Sequence, residues 1–225
     1  MNRLKGFTMA EMVITMGILG IVAVMVLPVL NNSRPNEEMI MLKKSYHNTA
    51  RVVSELINDD DLYPEYDDSG VQSGFANTAK AIYNGKEYST ATKFCQLFAA
   101  KLNATSVDCS ARKALSAKGN FTTADGVVWS MPVSNFGSTQ YIAIDTNGSK
   151  INNCSTQKTE TYGSAISAQC SGSKAPDQFI IKVNKFGAIS VVGKVEKEYI
   201  TSNKISRSYA DTKACVKAGN CNNSN

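Results

Sequence analysis

The 225-residue chain is 43% apolar, enough for one packed domain of ordinary size plus an accessory segment, which excludes a wholly disordered chain. Its formal charge is +5, from 24 basic and 19 acidic residues scattered along the sequence, so no basic run marks a dedicated nucleic-acid binder. Six cysteines in a chain that opens like an exported protein point to three disulfides outside the cytoplasm, because cytosolic thiols are kept reduced.

The chain opens on a very short basic leader holding Arg3 and Lys5, followed by a run from Met12 to Leu30 with no charged side chain. As a helix rising 1.5 Å per residue this run is about 28 Å long, close to the hydrocarbon thickness of a bilayer. The positive-inside bias holds the leader in the cytoplasm and sends everything after Leu30 across the membrane. An ordinary secretory signal would end in small residues of A-x-A type, and none stands near Leu30. An uncleaved signal anchor needs only the charge and the apolar run, and it leaves Glu11 unexplained. A carboxylate inside such a segment costs about 2.5–3.5 kcal/mol, so it calls for a partner or a function.

The segment Lys5-Gly6-Phe7-Thr8-Met9-Ala10-Glu11-Met12-Val13-Ile14 resembles the start of type IV pilins and type II secretion pseudopilins, K-G-F-T-x-x-E followed by apolar residues. The resemblance implies that a prepilin peptidase cuts between Gly6 and Phe7 and that the new amino terminus at Phe7 is methylated. It implies an assembly role for Glu11, paired with the terminal amine of a neighbouring subunit. Phe7 and Glu11 are one helical turn apart and lie on one face, so that pairing is physically sensible. Pro28 falls where many family members carry a helix-kinking proline; by itself it means one missing helix hydrogen bond. Gly17 and Gly20 read as small-residue packing positions.

Next, Asn31 to Asn36 gathers turn formers and a second proline, Pro35, which interrupts a helix, whereas the family runs on as one long helix. Helical character returns at Glu37, with Met39, Leu42, Tyr46, Thr49, Val53 and Leu56 forming an apolar stripe that should bury against a sheet. Asn58-Asp59-Asp60-Asp61 ends this helix, and Tyr63 to Gly74 reads as loop; the acidic run is a solvated helix end, ahead of a calcium site with no fixed ligand geometry. A second short helix is expected over Thr90 to Asn103, with Phe94, Leu97, Phe98 and Leu102 inward.

The second half changes period. Gly126 to Met131, Thr139 to Asp145, Gln178 to Asn184 and Ala188 to Val192 read as strands of an antiparallel sheet, the last two closed by the Asn184-Lys185-Phe186-Gly187 connection. Tyr141 to Lys150 and Pro176 to Ile181 resemble a subgroup of pseudopilin-like proteins in which a strand, D-x-N-G, P-N, a short loop and D-x-F follow one another. Here Ile151 to Asn153 lacks the proline, and an insertion carrying Cys154 and Cys170 separates the two parts. Asp145, Asn147 and Asp177 are candidate calcium ligands on that resemblance, and the same Asp-x-Asn-Gly makes a good turn, the reading we place first.

Six cysteines allow 15 connectivities. Proximity in sequence favours Cys95 with Cys109, Cys154 with Cys170 and Cys215 with Cys221, each small loop restricting the unfolded chain. No C-x-x-C occurs, and His47, the sole histidine, is far in sequence from every cysteine, so zinc has no ligand set; His47 reads as a surface or interface side chain. Phosphate and dinucleotide motifs and a Ser-His-Asp pattern are missing, and Glu196 and Glu198 around Lys197 read as a solvated strand or loop, so the chain is not expected to be an enzyme.

The expected class is α+β: a long hydrophobic amino-terminal helix packed on a small antiparallel sheet with disulfide-pinned loops. The divisions are a cytoplasmic leader at 1–6, a transmembrane and filament-core helix at 7–30, an amphipathic continuation of the stem at 31–62 and an extracytoplasmic head at 63–225. The resemblance implies a structural subunit of a type IV pilus or type II secretion pseudopilus. Its partners would be other pilin-like subunits, the inner membrane, prepilin peptidase and an assembly platform. The alternatives are a minor pilin serving as a tip adhesin or DNA-uptake module, although nucleic acid is not an expected partner, and an anchored surface protein that never polymerises and keeps Met1 to Gly6. No cofactor is expected beyond the calcium reading.

Overall fold

The computed structural model describes residues 8–32, 37–134, 136–148, 153–157, 165–171, 175–201 and 209–219. The chain divides into two units at Pro35, and helix α1, Met9–Asn32, belongs to the first. Thr8 to Met25 are all exposed, with Met9 at 88% and Val24 at 72%. A soluble helix buries one stripe and wets the rest; one that is apolar all round is made to be covered on every side. Among the described residues no helix is long and apolar enough to cross a membrane. Side chains of α1 are described from Met9 to Met25, about 26 Å of helix, short of the ~30 Å hydrocarbon core. The backbone stays helical through Pro28. Of the expected interruption at Asn31 to Asn36, Asn31 and Asn32 are still helical, and residues 33–36 lie outside those described.

The second unit opens with α2, Glu37–Ile57. Met39, Leu42, Ser45, Thr49, Val52, Val53 and Leu56 are its buried positions, following the expected stripe except that Tyr46 is only half-buried. Asn58 ends the helix by donating from Nδ2 to the Ser54 carbonyl at 2.8 Å, and the following acidic residues Asp60 and Asp61 are exposed. A small hairpin follows, β1 (Ala81–Tyr83) paired with β2 (Lys86–Tyr88) through an Asn84-Gly85 turn in which both residues have positive φ. The expected second helix is α3, Lys93–Lys101, entered through a 3-10 turn at Thr90–Thr92.

The main sheet is antiparallel and five-stranded, in sequence order: β3 (Phe121–Thr122), β4 (Val128–Ser130), β5 (Thr139–Asp145), β6 (Gln178–Asn184) and β7 (Ile189–Val191). Strands β5 and β6 have the bounds expected from sequence, and their register sets Ile142 opposite Ile181 and Ile144 opposite Phe179. Because side chains alternate across a strand, these residues enter one core with α2 and α3, whereas Ala143 and Ile180 enter a second core with Leu115, Ala165 and Ile166. Both faces of the sheet are therefore covered. The β6–β7 turn is held by Asn184, whose Oδ1 accepts from Phe186 N at 3.0 Å and Ala188 N at 2.8 Å. Gly187 takes φ +84 there, a conformation that suits glycine.

After β7 the chain turns helical, as α4 (Lys194–Thr201) and α5 (Tyr209–Ala218). This corrects the reading of Glu196 and Glu198 as a solvated strand or loop. Glu196 is 2% exposed, accepts from Thr156 Oγ1 at 2.8 Å, and has its carboxyl pushed up by burial. Gly193, three residues earlier, has φ +105, and a Cβ there would sit 2.0 Å from Glu196 Oε2, so the helix start and the buried acid depend on that glycine.

The larger core is aromatic. Phe75 lies edge-on to Tyr63 and Phe94, each with centroids 4.9 Å away, and Phe98 packs on Trp129 at 5.6 Å. Lys93 is buried in this group, 1% exposed, with Nζ 4.3 Å from the Tyr63 ring centroid and donating to the Ala79 carbonyl at 2.9 Å. Burial lowers its ammonium to a pKa of about 8. The folded chain then releases this proton near pH 8, and the unfolded chain only near its ordinary 10.5. Between those values the unfolded state holds more protons, so stability rises with pH. Burial also raises the Tyr63 phenol, which keeps it neutral over the same window. Thermal melting of the full chain is expected to rise by about 2–4 °C from pH 8 to pH 10. Lys93→Met should flatten that slope.

Candidate functional site

At the start of α1, Thr8 stands just outside the helix and Glu11 in its first turn. Glu11 Oε2 accepts from Thr8 N and from Thr8 Oγ1, both at 2.8 Å, while Glu11 N donates to Thr8 Oγ1 at 3.3 Å. This reciprocal arrangement is a capping box: two backbone donors that a helix start leaves unpaired are satisfied by the two side chains. The box defines where the helix begins, at Met9, two residues after Phe7, and gives Glu11 a partner within its own chain. Its signature in the sequence is T-x-x-E before an apolar run, a pattern separate from the charge of Glu11. Among the described residues Glu11 Oε1 makes no hydrogen bond, so one carboxylate oxygen holds the cap and the other is open to a donor from outside. Gly6 and Phe7, the expected cleavage and methylation residues, lie outside the described residues.

Beyond this cap the helix offers no chemistry. Apart from Glu11, the exposed side chains from Met9 to Met25 are small or apolar except for Thr15, whose hydroxyl donates to the Met12 carbonyl at 3.0 Å. Neither Gly17 nor Gly20 has an atom within 4 Å of where a Cβ would stand, which leaves room for a close neighbour on that surface.

In the head, the three candidate calcium ligands do come together across the β5–β6 pair. Asp145 Oδ1 accepts from Asn147 N at 3.2 Å and Oδ2 from Gln178 Nε2 at 3.1 Å. Asp177 Oδ1 accepts from Cys154 N at 2.8 Å, and Oδ2 from Asn153 N at 2.8 Å and Asn147 Nδ2 at 3.3 Å. Every carboxylate oxygen thus already accepts an amide proton. Burial, with a smaller contribution from the charge of Asp177, pushes Asp145 up to about 6 against the opposing Gln178 hydrogen bond. Calcium takes six to eight oxygens, and it would compete with five N–H donors here. Among the described residues no group of three or more His, Cys, Asp or Glu could hold a metal ion. These hydrogen bonds make the turn and lock the β5–β6 connection and the start of the insertion, and Asn147 Oδ1 is the buried side-chain oxygen of the three candidate ligands that they leave without a partner.

Among the described residues two disulfides reinforce this head. Cys95 is bonded to Cys109, tying α3 to the loop before β3, and Cys154 to Cys170, closing the insertion beside Asp177. Both pairings follow the expectation from sequence proximity; the third, Cys215 with Cys221, falls on Cys221, outside the described residues. His47 is exposed, edge-on to Tyr46 at 6.0 Å.

Comparison with known proteins bears on the amino-terminal segment. A family model described as the prokaryotic N-terminal methylation motif matches residues 1–27. No curated protein and no solved structure matches the chain. The capped, acid-bearing start of α1 lies inside the matched segment, so the first 27 residues carry the N-terminal methylation motif that is the signature of type IV pilins and pseudopilins.

Proposed function

We propose that the chain is a structural subunit with no catalytic role, cut by prepilin peptidase between Gly6 and Phe7, methylated at Phe7, and packed into a type IV pilus or type II secretion pseudopilus. The observation that carries this reading is α1, whose described side chains are exposed and apolar on every face behind a single capped carboxylate. Such a surface is covered either by lipid or by the helices of other copies. The precursor waits as a single-pass inner-membrane protein with its head outside the cytoplasm, and an assembly platform extracts it into the filament. In the polymer the helices form the core, and the disulfide-tied heads form the outside.

Charge across the junction is balanced by the cut itself. Cleavage creates a cationic terminus at Phe7, and the open Oε1 of Glu11 on an adjoining copy is suited to receive it. Mass spectrometry of native material is expected to find methylated Phe7 as the first residue, and immunogold labelling to decorate sheared surface fibres. Replacing Gly6 by a bulky residue should leave the leader attached and remove the fibres. Native protein that still begins at Met1 would refute the polymer, since the amine it depends on would not exist.

A further inference from the structure

The chain carries its acid unevenly. Six carboxylates lie between Asp59 and Asp68 with no Lys or Arg among them, in a protein that is +5 as a whole. Part of this loop walls a cleft of about 430 Å³ lined by Asn58, Asp60, Tyr63, Glu65, Gln72 and Phe186. Phe186, at the tip of the β6–β7 turn, is 51% exposed and supplies an apolar rim. One buried hydroxyl stands there without a hydrogen-bond partner: Tyr63 OH, on a residue 1% exposed that lines the cleft. Buried polar groups are rarely left unpaired, so this oxygen marks a place suited to a donor from outside. A lysine ammonium has three donors and no acceptor on an apolar stem, which matches two carboxylates, a hydroxyl oxygen and an aromatic rim.

The chain also presents the complementary group. On the β1–β2 hairpin, Ile82 is 71% exposed and Lys86 is exposed beside the turn. Lys86 lies 5.4 Å from the Tyr88 ring centroid and has no carboxylate partner among the described residues, whereas Lys80 is paired with Glu87 at 3.2 Å. We propose that the acidic cleft at Asp60 and Glu65 receives the Lys86 hairpin of a second copy. Cleft and hairpin are different patches, so the contact is heterologous, and a heterologous contact that does not close builds an open helical polymer. This deepens the filament reading and rests on it, adding a contact between heads to the packing of the stems.

Zero-length carbodiimide cross-linking of sheared filaments tests it. The expected product is a peptide joining Asp60 or Glu65 to Lys86, found in the covalent dimer band and missing from the monomer band. Combining Asp60→Lys with Glu65→Lys sets like charges together and should cut filament yield by about tenfold, with the melting temperature unchanged. Adding Lys86→Glu to that variant should restore the yield. Wild-type filaments lacking the dimer cross-link, or a cross-link confined to the monomer band, would overturn the head contact. So would charge-reversed protein that assembles like wild type. None of these touches the stem-driven polymer, which falls only if the wild-type chain forms no filament.

Discussion

Glu11→Ala is expected to reduce filament formation by at least tenfold while the cut between Gly6 and Phe7 proceeds. Two interactions are lost at once. Within the chain, Oε2 no longer accepts the Thr8 amide and hydroxyl, so the helix start loses a capping interaction of about 1 kcal/mol. Between chains, the cationic terminus of a neighbour enters an apolar core with no counter-charge, a cost of several kcal/mol where each 1.4 kcal/mol is about tenfold in an equilibrium. Thr8→Val separates the two. It removes the hydroxyl partner and leaves the carboxylate, so filaments should persist at a level reduced by no more than about tenfold, as a loss near 1 kcal/mol dictates. Counting fibres by electron microscopy, with the amino terminus checked by mass spectrometry, reads both. Abundant filaments from Glu11→Ala would mean that the charge pairing contributes nothing to assembly.

A second large effect is expected in the head. Gly119 lies between a 3-10 turn and β3 with φ +58, and a Cβ there would stand 2.4 Å from the Trp129 carbonyl oxygen and 2.8 Å from Val128 Cγ1. That carbonyl is not free to move, because it accepts from Asn120 N at 2.6 Å. Asn120 in turn has every side-chain group engaged: Nδ2 donates to the Asp108 and Ala111 carbonyls, each at 2.7 Å, and Oδ1 accepts from Lys113 N at 3.2 Å and Met131 N at 2.8 Å. Gly119→Ala therefore adds a left-handed conformation unsuited to alanine to a collision with fixed backbone. The expected loss is about 3 kcal/mol or more, a fall in melting temperature of about 6–12 °C. Lys118 next to it also has positive φ, at +65, but is exposed, so Lys118→Gly should be neutral or mildly stabilising. Thermal unfolding monitored by the fluorescence of the single tryptophan distinguishes the two variants. Equal melting temperatures for Gly119→Ala and wild type would show that β4 can yield at this point.

Several features of the protein follow from local pattern and were readable in order. Helix α1 is legible because an uninterrupted apolar run of this length favours a helix. Strands β5 and β6 are legible because β-branched and aromatic residues concentrate between clear turns. The Cys95–Cys109 and Cys154–Cys170 pairings are legible because short loops bring partners together cheaply. The capping box too is local, carried by Thr8-Met9-Ala10-Glu11.

Other features depend on residues far apart in the chain, and sequence pattern carries no sign of them. Glu196 looks solvated between lysines, yet it is buried because Thr156, 40 residues earlier, supplies a donor beneath α4. Lys93 looks like an ordinary helix-start lysine, yet Tyr63, 30 residues earlier, offers it a ring and Ala79 a carbonyl in place of water. Asp177 meets Asn147, 30 residues away, only because β5 and β6 pair in one register, and that register turns candidate ligands into acceptors for amide protons. Sequence alone determined that the run from Met12 to Leu30 offers water no charged face. Tertiary structure decided which charged groups of the head leave water, because burial is set by what packs above a side chain and not by its neighbours along the chain.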